Sequence, residues 1–193
     1  MKLKFFGDSY DILKKNFIAS LGEFGEWSTH PMFTEQVSEE QAEAFAQLLG
    51  TRLLSREWMT SKTIRANYFS ISSKVGNLFL DPDTGIRLIA KGGVKSVNYV
   101  FASELVEWSQ ARPNALTLVF DQCYARGKQS EQMQEKIRFF DSHGVHCFAY
   151  SSHAPFLFLS ASEKLADGAR TRLIKVTGLP EWRFVVLENR RIR

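Results

Sequence analysis

Cysteine is scarce in this chain. Cys123 and Cys147 are the two in 193 residues, and neither belongs to a C-x-x-C pair. That usage fits a reduced, cytoplasmic protein. No apolar run approaches the roughly 20 residues needed to cross a bilayer. The opening Met1-Lys2-Leu3-Lys4-Phe5-Phe6 is too short an apolar run for a signal peptide, so no membrane partner is expected. Several chemical signatures are also missing. Lys91-Gly92-Gly93-Val94-Lys95 is a basic loop without the GxxxxGK[ST] spacing of a P-loop. No G-x-S-x-G elbow supports a serine hydrolase. His143, His146 and Cys147 lie close together, but Gly144 breaks the helix there and no second Cys/His pair completes a tetrahedral set. No residue is therefore assigned as a metal ligand on this pattern. No internal repeat, low-complexity stretch or linker divides residues 1–193, which read as one domain.

What is present is ordinary in amount and particular in arrangement. Hydrophobic residues make up 44% and charged residues 24%, the balance of a globular protein. Sixteen phenylalanines are expected to fill a core between layers. A net charge of +4 permits an acidic partner such as nucleic acid without demanding one. Arg52, Arg56, Lys62, Arg65 and Lys74 are scattered, as on a solvated surface. A nucleic-acid contact strip is the alternative. The basic tail 188–193 reads as a frayed terminus.

Residues 2–6 read as a small strand or extended lead-in. Asp8 or Ser9 caps a helix running to about Leu21, with Ile12, Leu13, Phe17, Ile18 and Leu21 at helical spacing. Residues 26–33 read as a strand ended by Pro31. Ser38-Glu39-Glu40-Gln41 is a capping box opening a helix to about Leu49, with Gly50 as its C-cap. A short strand at Leu53-Leu54 and an extended stretch at 68–71 follow. The apolar strand 77–80 runs into Asp81-Pro82-Asp83-Thr84-Gly85, and a second, 116–120, runs into Asp121. A helix is expected over 102–110 with Ser103 as cap, and another over 129–142 with Met133, Ile137 and Phe140 on one face. Strands at 145–150 and 156–159 are joined by a linker short enough for antiparallel pairing. A helix over 161–172 and a strand over 182–187 complete the chain. This order predicts an α/β fold, a Rossmann-like, mostly parallel sheet with helices on both faces and an antiparallel strand near the C-terminus.

In such sheets the ligand crevice lies at the carboxyl edge, which puts the strand-end acids there. Asp81, Asp83 and Asp121 are candidate catalytic acids, with Asp8 and Asp11 at the first helix. Turn and cap duties are the bland alternative for Asp8, Asp81 and Asp83. His153, at a strand end in Ser151-Ser152-His153, is a candidate acid or base.

Three segments carry a resemblance: Gly7-Asp8-Ser9-Tyr10-Asp11-Ile12-Leu13-Lys14-Lys15, Phe79-Leu80-Asp81-Pro82-Asp83-Thr84-Gly85, and Val119-Phe120-Asp121-Gln122 with Arg126. The chain resembles a family of uncharacterised bacterial proteins with a GD-x-x-D-x-x-K opening and a DPD[NT]G motif. That family is in turn similar to the ribosomal-RNA adenine-N6 methyltransferases. The resemblance implies a class I methyltransferase-like fold. Asp81 and Pro82 would start the loop that receives a target amine, and Phe156-Leu157-Phe158-Leu159 would be the closing antiparallel strand. It also implies S-adenosylmethionine as cofactor, with Asp8, Asp11, Lys14, Pro82, Thr84 and Gly85 about its site. Two departures are visible. Thr84 stands where the methyltransferase motif has its aromatic, and Asp83 replaces its second proline. The segment after the first sheet strand, 27–34, holds no glycine, although a backbone that must approach a cofactor closely usually needs one.

Three functions are compatible with these residues. One is a methyltransferase-like protein acting on or binding nucleic acid. The second is a metal-dependent phosphodiesterase or nuclease using Asp8, Asp81, Asp83 and Asp121 with a divalent ion. The third is a non-catalytic binding module.

Overall fold

In the computed structural model, residues 3–90 and 93–187 are described. A 3-10 turn, Leu3–Phe5, stands where an extended lead-in was expected. The first helix, α1 (Ser9–Ser20), opens because the Asp8 carboxylate accepts the backbone N–H groups of Tyr10 and Asp11. Strand β1 (Trp27–His30) is shorter than the expected 26–33. Pro31 and then Met32, at φ 51°, turn the chain out of the extended conformation. Helix α2 (Glu39–Leu49) carries the Ser38–Gln41 capping box and ends on left-handed Gly50. A short edge strand follows, β2 (Arg52–Leu53). The stretch at 68–71 is not extended. It leaves a one-turn helix, α3 (Arg65–Tyr68), through turns that put Tyr68 and Phe69 in the core.

Strand β3 (Asn77–Leu80) leads to a small parallel pair that sequence reading did not find, β4 (Gly85–Arg87) with β5 (Tyr99–Phe101). Helix α4 (Ala102–Ala111) begins one residue before Ser103, so Ser103 is not its cap. Glu104 instead reaches back to accept the N–H of Phe101 at 2.9 Å. Then come β6 (Thr117–Phe120), α5 (Gln129–Ser142), β7 (His146–Tyr150) and β8 (Phe156–Ser160). Helix α6 (Glu163–Thr177) outruns the expected 161–172 because Leu173 continues its buried face, and left-handed Gly178 stops it. The closing strand β9 spans two residues, Phe184–Val185. The basic loop at Lys91-Gly92 and the tail 188–193 lie outside the described residues.

Seven strands form one sheet in the order β2-β1-β3-β6-β8-β7-β9. Strands β2, β1, β3 and β6 pair in parallel; β8 is antiparallel to both β6 and β7, and β9 to β7. With helices on both faces this is a Rossmann-like α/β fold. The central strands are buried on both sides, and their period-2 alternation sorts residues by shape. Phe79, Leu118, Phe120, Phe148, Tyr150, Phe156 and Phe158 face α1, α2 and α6. Leu78, Leu80, Val119, Cys147, Ala149, Leu157 and Leu159 face α4 and α5. One layer is therefore largely aromatic. Phe17 of α1 meets Tyr150, Phe156 and Phe158 edge-on at 5.0–5.6 Å, and Phe148 stacks on Phe158 at 4.5 Å. Phe17, Phe156 and Phe158 together seat α1 against the sheet.

The amino edge is closed by its own polar groups. Asn77 donates to the Phe24 carbonyl and accepts the N–H of Leu116. Arg112 donates to the carbonyls of Gly76 and Trp108 and to Thr117 Oγ1. A site is left to the other edge.

Candidate functional site

The chain leaves β1 in one direction to reach β2 and crosses back to reach β3, so strand order reverses between β1 and β3. Open α/β sheets hold their ligand crevice at the carboxyl side of such a switch. Asp81, the first residue past β3, lies there and is 2% exposed.

Helix α1 crosses this edge and lowers Lys14 onto Asp81. Lys14 Nζ donates to Asp81 Oδ2 at 2.9 Å and to Asp11 Oδ1 at 2.8 Å. Asp11 Oδ2 in turn accepts the N–H of Gly7 at 2.8 Å. The Lys14 ammonium also sits 4.6 Å from the centre of the Phe120 ring, a cation–π contact in a desolvated place. Burial by itself would lower the Lys14 pKa; the attraction of Asp81 and Asp11 outweighs it and holds the pKa above its ordinary value. Burial likewise pushes Asp81 above the ordinary carboxylate range, with Lys14 offsetting part of that rise. The two shifts pull the pair in opposite senses. Two carboxylates face one ammonium within 2.9 Å, which favours the charged form of Lys14.

Above this triad is a cavity of about 90 Å³. Its acidic lining comes from Asp8, Asp11, Asp81 and Asp83, and its apolar walls from Phe5, Tyr10, Pro82 and Phe120. Lys14 and Gln122 complete it. Six residues singled out in the sequence thus meet here: Asp8, Asp11, Lys14, Asp81, Pro82 and Asp83. Sequence reading missed Phe5, Tyr10, Phe120 and Gln122 as lining. The available signal was position, since Tyr10 follows the helix cap and Phe120 and Gln122 flank a strand end.

The other candidates lie elsewhere. Asp121 is fully buried and committed: Oδ2 accepts from Lys136 Nζ at 2.6 Å, and Oδ1 accepts the N–H groups of Ile86 and Cys123. It fastens β4 and α5 to the end of β6. Thr84 and Gly85 do not line the cavity. Thr84 exchanges backbone hydrogen bonds with Asn98 and Gln122. Gly85, at φ 129°, lets the backbone press against Asp121, where a Cβ would overlap Asp121 Oδ1 and lie 2.9 Å from Gln122 N. His153 is exposed and lines a second, neighbouring cavity, its ring 5.9 Å from that of Tyr10. Among the described residues no group of three or more His, Cys, Asp or Glu side chains is placed to hold a metal ion. Of the aspartates named for a divalent ion, Asp8, Asp81 and Asp83 line the cavity, whereas Asp121 does not and is held by Lys136.

The residues at the end of β1 do not fit an S-adenosylmethionine loop. His30, Pro31, Met32 and Phe33 are all buried, and Met32 and Phe33 pack into opposite core layers where such a loop would open a cofactor bed. The His30 ring lies against Tyr68 and Phe69 at 4.7 and 5.0 Å. Burial lowers its pKa to about 4.

Among the scattered cations, Arg65 is not solvated surface. Its guanidinium grips Glu104 bidentately at 2.6 and 2.7 Å, donates to the carbonyls of Ser96 and Tyr99, and lies over the Phe69 and Phe101 rings. Arg52, Arg56, Lys62 and Lys74 are not among the residues lining the cavity.

The fold and site define a Rossmann-like α/β domain with an acidic, aromatic-walled pocket at its carboxyl edge. No family model, curated protein or solved structure matches this chain. Among the described residues no helix is long and apolar enough to cross a membrane.

Proposed function

We propose that the chain is a nucleic-acid-binding domain of methyltransferase-like fold that receives an amine-bearing base at the carboxyl edge and transfers no methyl group. The observation that carries this reading is the lining of the pocket. Four aspartates face one lysine there, so the cavity attracts hydrogen-bond donors and partial positive charge and repels phosphate. Flat apolar walls at Phe5, Tyr10 and Phe120 suit a ring. An exocyclic amine on a planar base supplies both features. The filled end of β1 argues against a cofactor beside it. Asp81, already paired with Lys14, acts as an acceptor and not as a proton carrier in this reading.

The test is a calorimetric titration with S-adenosylhomocysteine and, separately, with single-stranded oligonucleotides rich in adenine and cytosine. Oligonucleotide binding is expected, weakened at least tenfold in Asp83→Asn and Asp81→Asn variants that keep the wild-type circular dichroism. No binding of S-adenosylhomocysteine is expected at millimolar concentration. Micromolar binding of it would overturn the binding-only reading, and absence of oligonucleotide binding would overturn the nucleic-acid reading.

A further inference from the structure

The acidic pocket repels the phosphates that a nucleic-acid strand must bring with its base, so the strand needs a separate place for its backbone. A second cavity of about 150 Å³ adjoins the first, walled by Gln122, Tyr124, Gln129, Ser152, His153 and Pro155. Gln122 lines both. Three rings connect them along the edge: Phe120 to Tyr10 at 5.7 Å and Tyr10 to His153 at 5.9 Å. The chemistry changes between the two. The first cavity carries four carboxylates and the second none. Its Gln129 amide is held by a hydrogen bond to the Ser152 carbonyl at 2.7 Å. The segment between Tyr124 and Gln129 carries Arg126 and Lys128, both exposed.

We propose that this second cavity is a backbone subsite. It takes the phosphate and sugar linking the base in the acidic pocket to the next nucleotide, with His153 and Tyr10 as a stacking wall for that neighbour. Carboxylates are absent from its lining, the exposed Arg126 and Lys128 lie on the segment between its Tyr124 and Gln129 walls, and the half-buried Tyr10 and exposed His153 rings continue the path, a combination suited to tracking a single strand without sequence readout. The shared Gln122 and the Phe120, Tyr10 and His153 rings place the two cavities side by side. His153, a candidate acid or base from its sequence position, acts here as a contact surface. The inference rests on the base-receiving reading of the first pocket and extends it from one nucleotide to two.

The experiment compares adenosine with the adenylyl-adenosine dinucleotide on the full chain by calorimetry at several salt concentrations. In the wild type the dinucleotide is expected to bind at least tenfold more tightly, since one stacked base is worth about that much or more. His153→Ala should bring the two ligands within about threefold of each other while leaving adenosine affinity unchanged. His153 is exposed, so the variant is expected to fold. The double variant Arg126→Ala/Lys128→Ala should flatten the salt dependence of dinucleotide binding and not that of adenosine. Equal binding of both ligands by the wild type, or an undiminished dinucleotide advantage in His153→Ala, would overturn the subsite while leaving the first pocket standing. Loss of adenosine binding itself would remove the reading on which the subsite rests.

Discussion

Lys14 and Asp81 are 67 positions apart in the chain and 2.9 Å apart at Nζ and Oδ2, both buried. This pair joins the first helix to the middle of the sheet at the edge where a ligand would enter. A buried ion pair adds little net stability, because desolvation consumes most of the attraction. Removing one partner is a different matter.

Lys14→Met leaves Asp11 and Asp81 buried without their cation. A loss of about 3–5 kcal/mol in urea unfolding is expected. Adding Asp81→Asn to that variant should recover part of the loss, a non-additivity that a double-mutant cycle measures. Because the folded Lys14 pKa is raised, its contribution is complete below about 10.5 and is lost as pH climbs through the folded value. The stability gap between wild type and Lys14→Met should therefore stay constant below about 10.5 and narrow as pH rises through the folded value.

His30 sets the acid side. Its pKa is about 4 in the fold against 6.5 free, since burial disfavours the imidazolium. Between these values the unfolded chain takes up a proton that the native one refuses, so stability falls as pH drops from about 6.5 towards 4. For this fully buried ring the loss amounts to roughly 3 kcal/mol. His30→Phe should flatten that part of the curve of urea midpoint against pH; an unchanged slope would assign the acid sensitivity to another group.

Gly85→Ala is expected to cost about 3 kcal/mol or more. The added methyl collides with Asp121 and demands a left-handed backbone at φ 129°. Asp121→Ala should destabilise by a similar amount, because it strands Lys136 inside. Thermal unfolding of both variants checks the assignment of these residues to structure. Loss of ligand binding in a fully stable Gly85→Ala protein would contradict it.

Arg65→Lys keeps the charge and forfeits the fork. The bidentate grip on Glu104 and the contacts over Phe69 and Phe101 cannot be reproduced by an ammonium. A loss of about 1–3 kcal/mol is expected. Oligonucleotide binding should be unchanged per folded molecule, since Arg65 is not among the residues lining the pocket.

Much of the fold was legible because its signals are local. Asp8, Ser38 and Gly50 announce helix ends by side-chain or backbone chemistry within one turn, and 77–80 and 116–120 read as buried strands from their largely apolar runs. The pairing of β4 with β5 left no such trace. Each is three residues long, and its order comes from contacts with partners distant in sequence, Gly85 against Asp121 among them. The stretch 68–71 looked extended because aromatic residues favour strands, and its burial in turns is a tertiary override of propensity. The candidate site divides in the same way. Asp11 and Lys14 were named through the resemblance and Asp81 through its strand end, but nothing in the sequence showed the ion pair that joins Lys14 to Asp81 across 67 positions. Residue type could not show that Asp121 is already spent on Lys136, nor that Arg65, one of five scattered cations, is sequestered by Glu104.

Strand β8 occupies the slot between β6 and β7 and runs against both. During synthesis β6 therefore emerges with its inner edge unpaired, and no earlier segment can cover it. The ribosome must release about 40 further residues before Phe156–Ser160 arrives. In that interval Thr117–Phe120 is an open, apolar strand edge, the kind that recruits other chains. A nascent chain from which β6 has emerged but β8 has not should be a client for chaperones, whereas one in which Phe156–Ser160 has also emerged should have covered that edge.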